Sequence, residues 1–334
     1  MILSRTPVRV SFVGGGSDLA SFYTKNEYGC VISMTVKKYV YVAVNHRFDG
    51  KIRLAYARNE IIDSIDEIQN DRIKVAMRRL GITGGIEIFY ISDVPKKLGL
   101  GGSSSFTVGL LNALYRYKGV DVFPERLARE SCEIEIEDLA NNIGKQDQYA
   151  AAIGGINYIK FWSNGTVSVK PILIDESIIR SLMDSLVFVY LGGTHDASGI
   201  LTDVQQHMGD NNEYLLRMRD ITDQLYNDLM QRKIDQFKYA LKENWELKKK
   251  TSSLVSSAFI ENLYDRAIAA GAEAGKVLGA GGGGFLMMFV PPERQDQFRK
   301  KMSDYKLMKF DIEHNGSQIV HFDQDRNTGI DHVF

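Results

Sequence analysis

The sequence predicts an α+β fold in two domains. Strand-like and helix-like stretches alternate along all 334 residues without strict βαβ regularity. That length exceeds what one hydrophobic core usually organises, and the chain changes character between about Pro171 and Leu186. An N-terminal domain over residues 1–180 and a C-terminal domain over 181–334 are therefore expected. At 44% hydrophobic and 25% charged residues the composition is that of an ordinary globular protein, without repeats or low-complexity tracts.

Val8 to Val13 reads as a short buried strand running into Gly14-Gly15-Gly16-Ser17-Asp18. Val31 to Val36, Tyr39 to Val44 and Lys51 to Tyr56 are strand-like, dominated by valine, isoleucine and tyrosine. Asp71 to Leu80 is predicted helical and stops at Gly81. Ile86 to Ile91 is a strand leading to Gly99-Leu100-Gly101-Gly102-Ser103-Ser104-Ser105. A helix follows, with Phe106, Leu110, Ala113, Leu114 and Tyr117 on one face. Pro124 to Leu139 is a second helix, Pro124 near its start and its middle strongly acidic. Asn157 to Val169 suggests a hairpin turning at Ser163-Asn164-Gly165. After the strand Leu186 to Leu191 come charged amphipathic helices over about Glu213 to Lys250 and Ser257 to Gly271. A strand–glycine loop–strand unit over Lys276 to Val290 and a helix starting at Pro291-Pro292-Glu293 complete the reading.

Bulk properties exclude several classes. A formal net charge of -1 gives no electrostatic reason to expect nucleic acid or a membrane surface. Cys30 and Cys132 are too few and too scattered for a disulfide framework or a zinc site. The first residues lack a signal-peptide apolar region, and no apolar run approaches the roughly 20 residues of a membrane span, so a cytoplasmic protein is expected.

The 99–105 loop carries the strongest functional signal. Its glycines let the backbone turn tightly and approach a ligand closely. Its serines are good helix N-caps, so unpaired N–H groups and the positive end of a helix dipole should converge where a phosphate would sit. Two other clusters, Gly14-Gly15-Gly16 and Gly279 through Gly284, would each pass for structural turns alone. Neither fits a dinucleotide fingerprint, and no Gly-Lys-Ser/Thr completes a Walker loop.

Together the clusters resemble the small-molecule kinase superfamily of galactokinase, homoserine kinase, mevalonate kinase and phosphomevalonate kinase (GHMP). Thr6-Pro7-Val8-Arg9 through Gly14-Gly15-Gly16-Ser17-Asp18 is similar to its first motif. Pro95 through Ser103 is similar to the second, with Gly102 in place of a family serine, and Gly279-Ala280-Gly281-Gly282-Gly283-Gly284 to the third. Arg9 to Leu19 and Gly144-Lys145-Gln146-Asp147-Gln148-Tyr149 most resemble the bacterial D-glycero-D-manno-heptose 7-phosphate kinases, although that branch often has an arginine where this chain has His195.

The resemblance implies a ribosomal-protein-S5-like N-terminal domain, a ferredoxin-like C-terminal domain, ATP and Mg²⁺ as cofactors, and a sugar phosphate as acceptor, and leaves room for a homodimer. It implies transfer of phosphate to the anomeric hydroxyl of heptose 7-phosphate, a step toward activated heptose for surface polysaccharide, with a fucose or galactose 1-kinase as the alternative and a non-catalytic sugar and nucleotide sensor on the same fold as a more distant one. It assigns Asp147 as catalytic base and Arg9 as its cationic partner. Period-two alternation alone does not decide whether Arg9 faces solvent or a site. Gly99, Leu100, Gly101, Gly102, Ser103 and Ser104 would hold the ATP phosphates. Ser103 and Glu135 would hold Mg²⁺, with Ser104, Glu133 and Glu137 as rivals. Gly16, Ser17, Asp18, Lys145, His195, Gly282 and Gly283 would meet the acceptor, Ser17 and Asp18 being equally readable as a helix cap.

Overall fold

The computed structural model describes residues 1–95, 97–192 and 197–323. Two long strands, β1 (Ile2–Val13) and β2 (Tyr28–His46), run antiparallel and are joined through one helical turn, α1 (Ala20–Tyr23). β2 replaces the two strands expected at 31–36 and 39–44. Lys37 and Lys38 stay in the strand because they reach the surface, and a register shift between Pro7 and Val8 of β1 absorbs the irregularity.

The hairpin β3 (Ile52–Ala55) and β4 (Asn59–Ile62) comes next. Then follow α2 (Asp71–Arg79), capped by the Asn70 side chain, and β5 (Ile86–Ser92). The helices α3 (Gly102–Tyr117), α4 (Pro124–Cys132) and α5 (Gln146–Ile153) precede a second hairpin, β6 (Ile156–Trp162) and β7 (Val167–Pro171). The sheet runs β1-β2-β5-β3-β4. β6 pairs with the first half of β2 and β5 with the second half. The helix expected to reach Leu139 ends at Cys132 and continues as a π-helical turn, Glu133–Asp138.

The chain then forms α6 (Glu176–Asp184), β8 (Leu186–Gly192), α7 (Ala197–Gln206), α8 (Met208–Met230), α9 (Gln236–Lys250) and α10 (Ala258–Ala270). β9 (Ala274–Val277), β10 (Gly284–Phe289), α11 (Gln295–Lys301), β11 (Leu307–Met308) and β12 (Gln318–Phe322) complete it. A second, antiparallel sheet has the order β11-β8-β10-β9, whereas β12 returns to pair with β1 in the first.

The run Phe285-Leu286-Met287-Met288-Phe289 shows no polar alternation because both faces of β10 are covered. Phe285, Met287 and Phe289 join the larger core with the first sheet, and Leu286 and Met288 join a smaller one with Val255, Leu263 and Phe298. α3 presses onto β1 at Gly109, whose carbonyl accepts from Ser4 Oγ at 2.8 Å. A Cβ there would lie 2.6 Å from Thr6 Oγ1. This contact sets the N-terminus of α3 beside Arg9.

Candidate active site

A cavity of about 420 Å³ lies where the two halves meet, within the usual range for a small-molecule site. Arg9, Asp18, Gly99 to Ser104, Gly144 and Asp147 line it from the first half, Lys248, Gly279 and Ala280 from the second. One end is apolar, with Val94, Pro95 and an edge-on aromatic pair, Tyr90 and Phe106, whose centroids are 5.0 Å apart.

Two glycine clusters meet main chain to main chain. A Cβ on Gly99 would sit 2.5 Å from the Leu278 carbonyl oxygen, and one on Gly279 2.7 Å from Gly99 Cα, so neither position accommodates a side chain. Gly101, with φ +71°, takes the N-cap position that the serines were expected to fill. No side chain caps the helix, so the first-turn N–H groups of α3 and its positive dipole end face the cavity. The serines enter the helix instead. Ser103 is exposed to the cavity, Ser104 donates to Glu135, and Ser105 donates to the carbonyls of Pro7 and Gly101.

Arg9 turns into the cavity while Val8 and Val10 enter the core. Its Nε donates to Asp147 Oδ1 at 2.8 Å and its Nη2 to Oδ2 at 2.9 Å, the bidentate fork that suits guanidinium and carboxylate. A further donation from Nη1 to the Gly99 carbonyl ties the pair to the glycine loop. Asp147 Oδ1 also accepts from Gln146 Nε2 at 3.3 Å, whereas Oδ2 keeps an acceptor position open. Oδ2 is also the oxygen facing Gly101, 3.0 Å from where a Cβ would stand.

Asp18 is buried behind this pair and accepts from the N–H groups of Gly16 and Gln146 at 2.9 and 3.3 Å. Burial pushes its carboxyl above the ordinary range. The two backbone bonds oppose that shift, and the nearby Asp147 charge adds to it. A Cβ on Gly144 would overlap Asp18 Oδ2 at 1.9 Å, so this glycine makes room for the carboxylate.

Glu135 alone of the three acidic candidates points inward, because the π-helical turn rotates Glu133 and Glu137 away. Glu133 pairs with Arg79, and Glu137 is exposed. The Glu135 carboxylate is fully buried and accepts four bonds. Arg72 Nε and Thr107 Oγ1 donate to Oε1 at 2.8 and 2.9 Å, and Ser104 Oγ and Gln148 Nε2 to Oε2 at 2.7 and 2.6 Å. Ser104, rather than Ser103, is the serine joined to this carboxylate. Gln148 Oε1 remains a buried acceptor without a partner among the described residues. The Glu135 carboxylate and the Ser104 hydroxyl that donates to it are hard oxygens of the kind magnesium takes.

Four predicted acceptor contacts fall elsewhere. Ser17 is fully buried, its hydroxyl donating to the carbonyls of Gly14 and Cys30 and locking the turn. Lys145 donates to the Gly165 carbonyl outside the cavity. Gly282 spends its N–H on the Val255 carbonyl, and neither it nor Gly283 reaches the cavity. Gly279 and Ala280 stand there instead. His195 lies outside the described residues.

Lys248 was missed. It is 7% exposed, its Nζ donating to the Gly279 carbonyl at 3.0 Å and lying 3.6 Å from where a Gly15 Cβ would be. Burial pulls its ammonium down to about 8. Asp18 and Asp147 oppose that shift and Arg9 reinforces it. Asn244, one turn earlier on α9, accepts from the Gly14 N–H at 2.9 Å. The signal was present in the sequence. Phe237, Leu241 and Trp245 mark a core-facing stripe on which Asn244 and Lys248 are polar intruders.

Glycine-built phosphate loop, arginine-clamped aspartate and two-sheet scaffold define a small-molecule kinase, and the chain belongs to the GHMP kinases. It matches the GHMP kinases N terminal domain over residues 70–155 and the GHMP kinases C terminal model over residues 225–306. It is 31% identical to a D-glycero-alpha-D-manno-heptose 7-phosphate kinase of Campylobacter jejuni, over 88% of this chain and 91% of that protein. A bifunctional fucokinase/GDP-fucose pyrophosphorylase of Arabidopsis thaliana is 24% identical over 92% of this chain but only 31% of its own length. Among solved structures, a D-glycero-D-manno-heptose 1-phosphate kinase from Bacteroides thetaiotaomicron superposes with a TM-score of 0.79 at 27% identity, covering 95% of this chain and 98% of that one. No helix among the described residues is long and apolar enough to cross a membrane.

Proposed function

We propose that this GHMP kinase transfers the terminal phosphate of ATP to the anomeric hydroxyl of D-glycero-D-manno-heptose 7-phosphate, giving the 1,7-bisphosphate. The observation carrying this reading is the open Oδ2 of Asp147, clamped by Arg9 and facing the glycine loop in a cavity shared by both halves. Likeness to a heptose 7-phosphate kinase over most of the chain supports the acceptor, and likeness to a solved heptose 1-phosphate kinase supports the heptose phosphate class. Residues 1–180 would supply the phosphate loop and base, and residues 181–334 the opposing wall.

The N–H groups opening α3 hold the nucleotide phosphates, and the apolar Tyr90–Phe106 end takes the planar base. Asp18, with its backbone donors fixed, accepts from sugar hydroxyls beside Lys248. Asp147 Oδ2 takes the proton of the acceptor hydroxyl. The hydroxyl oxygen bonds to the terminal phosphorus, and ADP leaves with the electrons of the broken P–O bond. Arg9 holds Asp147 in place and offsets charge on the moving phosphoryl group. Glu135 with Ser103 or Ser104 would hold Mg²⁺, which when bound neutralises charge on the phosphates.

The test is ADP release with heptose 7-phosphate, heptose 1-phosphate, fucose and galactose offered in parallel, with phosphorus NMR of the product. Turnover confined to heptose 7-phosphate with a new anomeric phosphate is expected. Preference for a free hexose would replace the acceptor while leaving the reaction class intact.

A further inference from the structure

We propose that Arg72 is an exchangeable partner of Glu135. The nucleotide polyphosphate draws its guanidinium off the carboxylate, and the cation takes the acceptor position so released. The inference rests on the kinase reading above but concerns Arg72, to which that reading gives no role.

A carboxylate offers about four lone-pair positions, and all four on Glu135 are taken by Arg72, Thr107, Ser104 and Gln148. A cation can bind only if one donor withdraws. Thr107 and Gln148 are fully buried and do not line the cavity, and Ser104 is 3% exposed within a helix. The Arg72 side chain is 29% exposed, and it lines both the main cavity and a shallower polar recess formed with Arg58, Gln69 and Asn141. It alone has somewhere to go.

Its remaining donors point the same way. Nε holds Glu135, whereas Nη1 and Nη2 make no hydrogen bond among the described residues. Arg72 also sits in the first turn of α2, next to Asn70, which lines the same cavity. A guanidinium with two unused N–H edges beside a phosphate-binding helix start is a ready fork for phosphate oxygens. The charges also favour the exchange. A divalent cation next to an arginine-paired carboxylate is repelled, whereas a polyphosphate attracts both the cation and the guanidinium. Cation affinity at Glu135 thereby becomes dependent on nucleotide.

Two titrations on the purified full chain test this, both independent of turnover. Mn²⁺ binding without nucleotide, read by electron paramagnetic resonance, should tighten at least about tenfold in Arg72→Ala, because the competing donor is gone. Glu135→Gln in the same background should abolish the gain. AMPPNP binding in EDTA, read by calorimetry, should weaken about tenfold in Arg72→Ala and recover partly in Arg72→Lys. Thermal melts of each variant guard against unfolding. Unchanged or weaker Mn²⁺ binding in a folded Arg72→Ala would overturn the exchange and leave Arg72 a structural pin. Failure of the wild type to bind AMPPNP with Mg²⁺ would instead sink the kinase reading, and Mn²⁺ binding alone would still judge the exchange.

Discussion

Two arginine–carboxylate pairs contact the start of α3, and they are built in opposite ways. Asp147 with Arg9 abuts Gly101, and Glu135 with Arg72 abuts Ser104. In the first pair the arginine is the buried member, its side chain 6% exposed, while the Asp147 side chain is 25% exposed and retains an open oxygen position. In the second the carboxylate is fully buried and saturated, and the arginine is the exposed member. The same two chemical groups thus give a buried cation holding an open acid in one place and a saturated, buried acid holding a half-exposed cation in the other. Which partner is anchored decides which can act.

Substitutions in the acids break this comparison most strongly. Asp147→Asn keeps shape and most hydrogen bonding but removes the proton acceptor. The kcat should fall about 10³-fold, while nucleotide affinity and melting temperature change little. Normal turnover in stopped-flow assays would remove Asp147 from the chemistry. Glu135→Ala should instead register in stability, by about 3–5 kcal/mol in urea titration, because three buried donors and Arg72 lose their acceptor together. If Asp147→Asn proved the more destabilising of the two, the contrast between open and saturated acids would fail.

A smaller effect tests the wall between the pairs. Gly101→Ala places a methyl group 3.0 Å from Asp147 Oδ2 on a residue with φ +71°. Backbone strain should cost about 1–2 kcal/mol in stability. The crowding should lower kcat roughly tenfold and leave Mn²⁺ binding at Glu135 unaffected. An equal loss at both pairs would mean that the helix start moves as a unit.

How much of this was legible in the sequence follows the same division. Local signals worked: the glycine loop opening a helix, the strand ending at Gly14, and the Asn157–Val169 hairpin are each fixed by turn chemistry and short-range pattern. Asp147 and Arg9, 138 positions apart, were paired only through the family resemblance, since no period in either segment points at the other. Arg72 carried no signal. It sits on an ordinary charged helix, and its value comes from a π-helical turn that lets Glu135 alone face inward. The N-cap at Gly101 was misread because serines are good caps in general, whereas here their hydroxyls have tertiary acceptors in Glu135 and Pro7. The third glycine cluster was assigned to the substrate through Gly282 and Gly283, yet closeness of main chains is set at Gly279, against Gly99.

Lys248 offers the mildest test, because it lies beside the Arg9 pair and distant in sequence from both. Burial holds its ammonium at about 8 against an ordinary 10.5. Between those values the unfolded chain keeps the proton that the folded one has lost, so stability rises with pH through that window. Below about pH 8 the fold bears the full penalty of a buried charge. Lys248→Met should therefore stabilise the protein at pH 7 by about 2 kcal/mol after loss of the bond to Gly279, and the gain should vanish toward pH 10. Melts at the two pH values measure it, and equal differences at both would show that the charge carries no penalty. Activity should move the other way. In the wild type, kcat/KM should decline above about pH 8 as the ammonium that feels Asp18 and Asp147 is lost, and Lys248→Arg, which stays charged, should shift that decline upward. A lysine found to weaken the fold at neutral pH while supporting turnover would be explained by what it binds in the cavity, and this pair of measurements separates that role from packing.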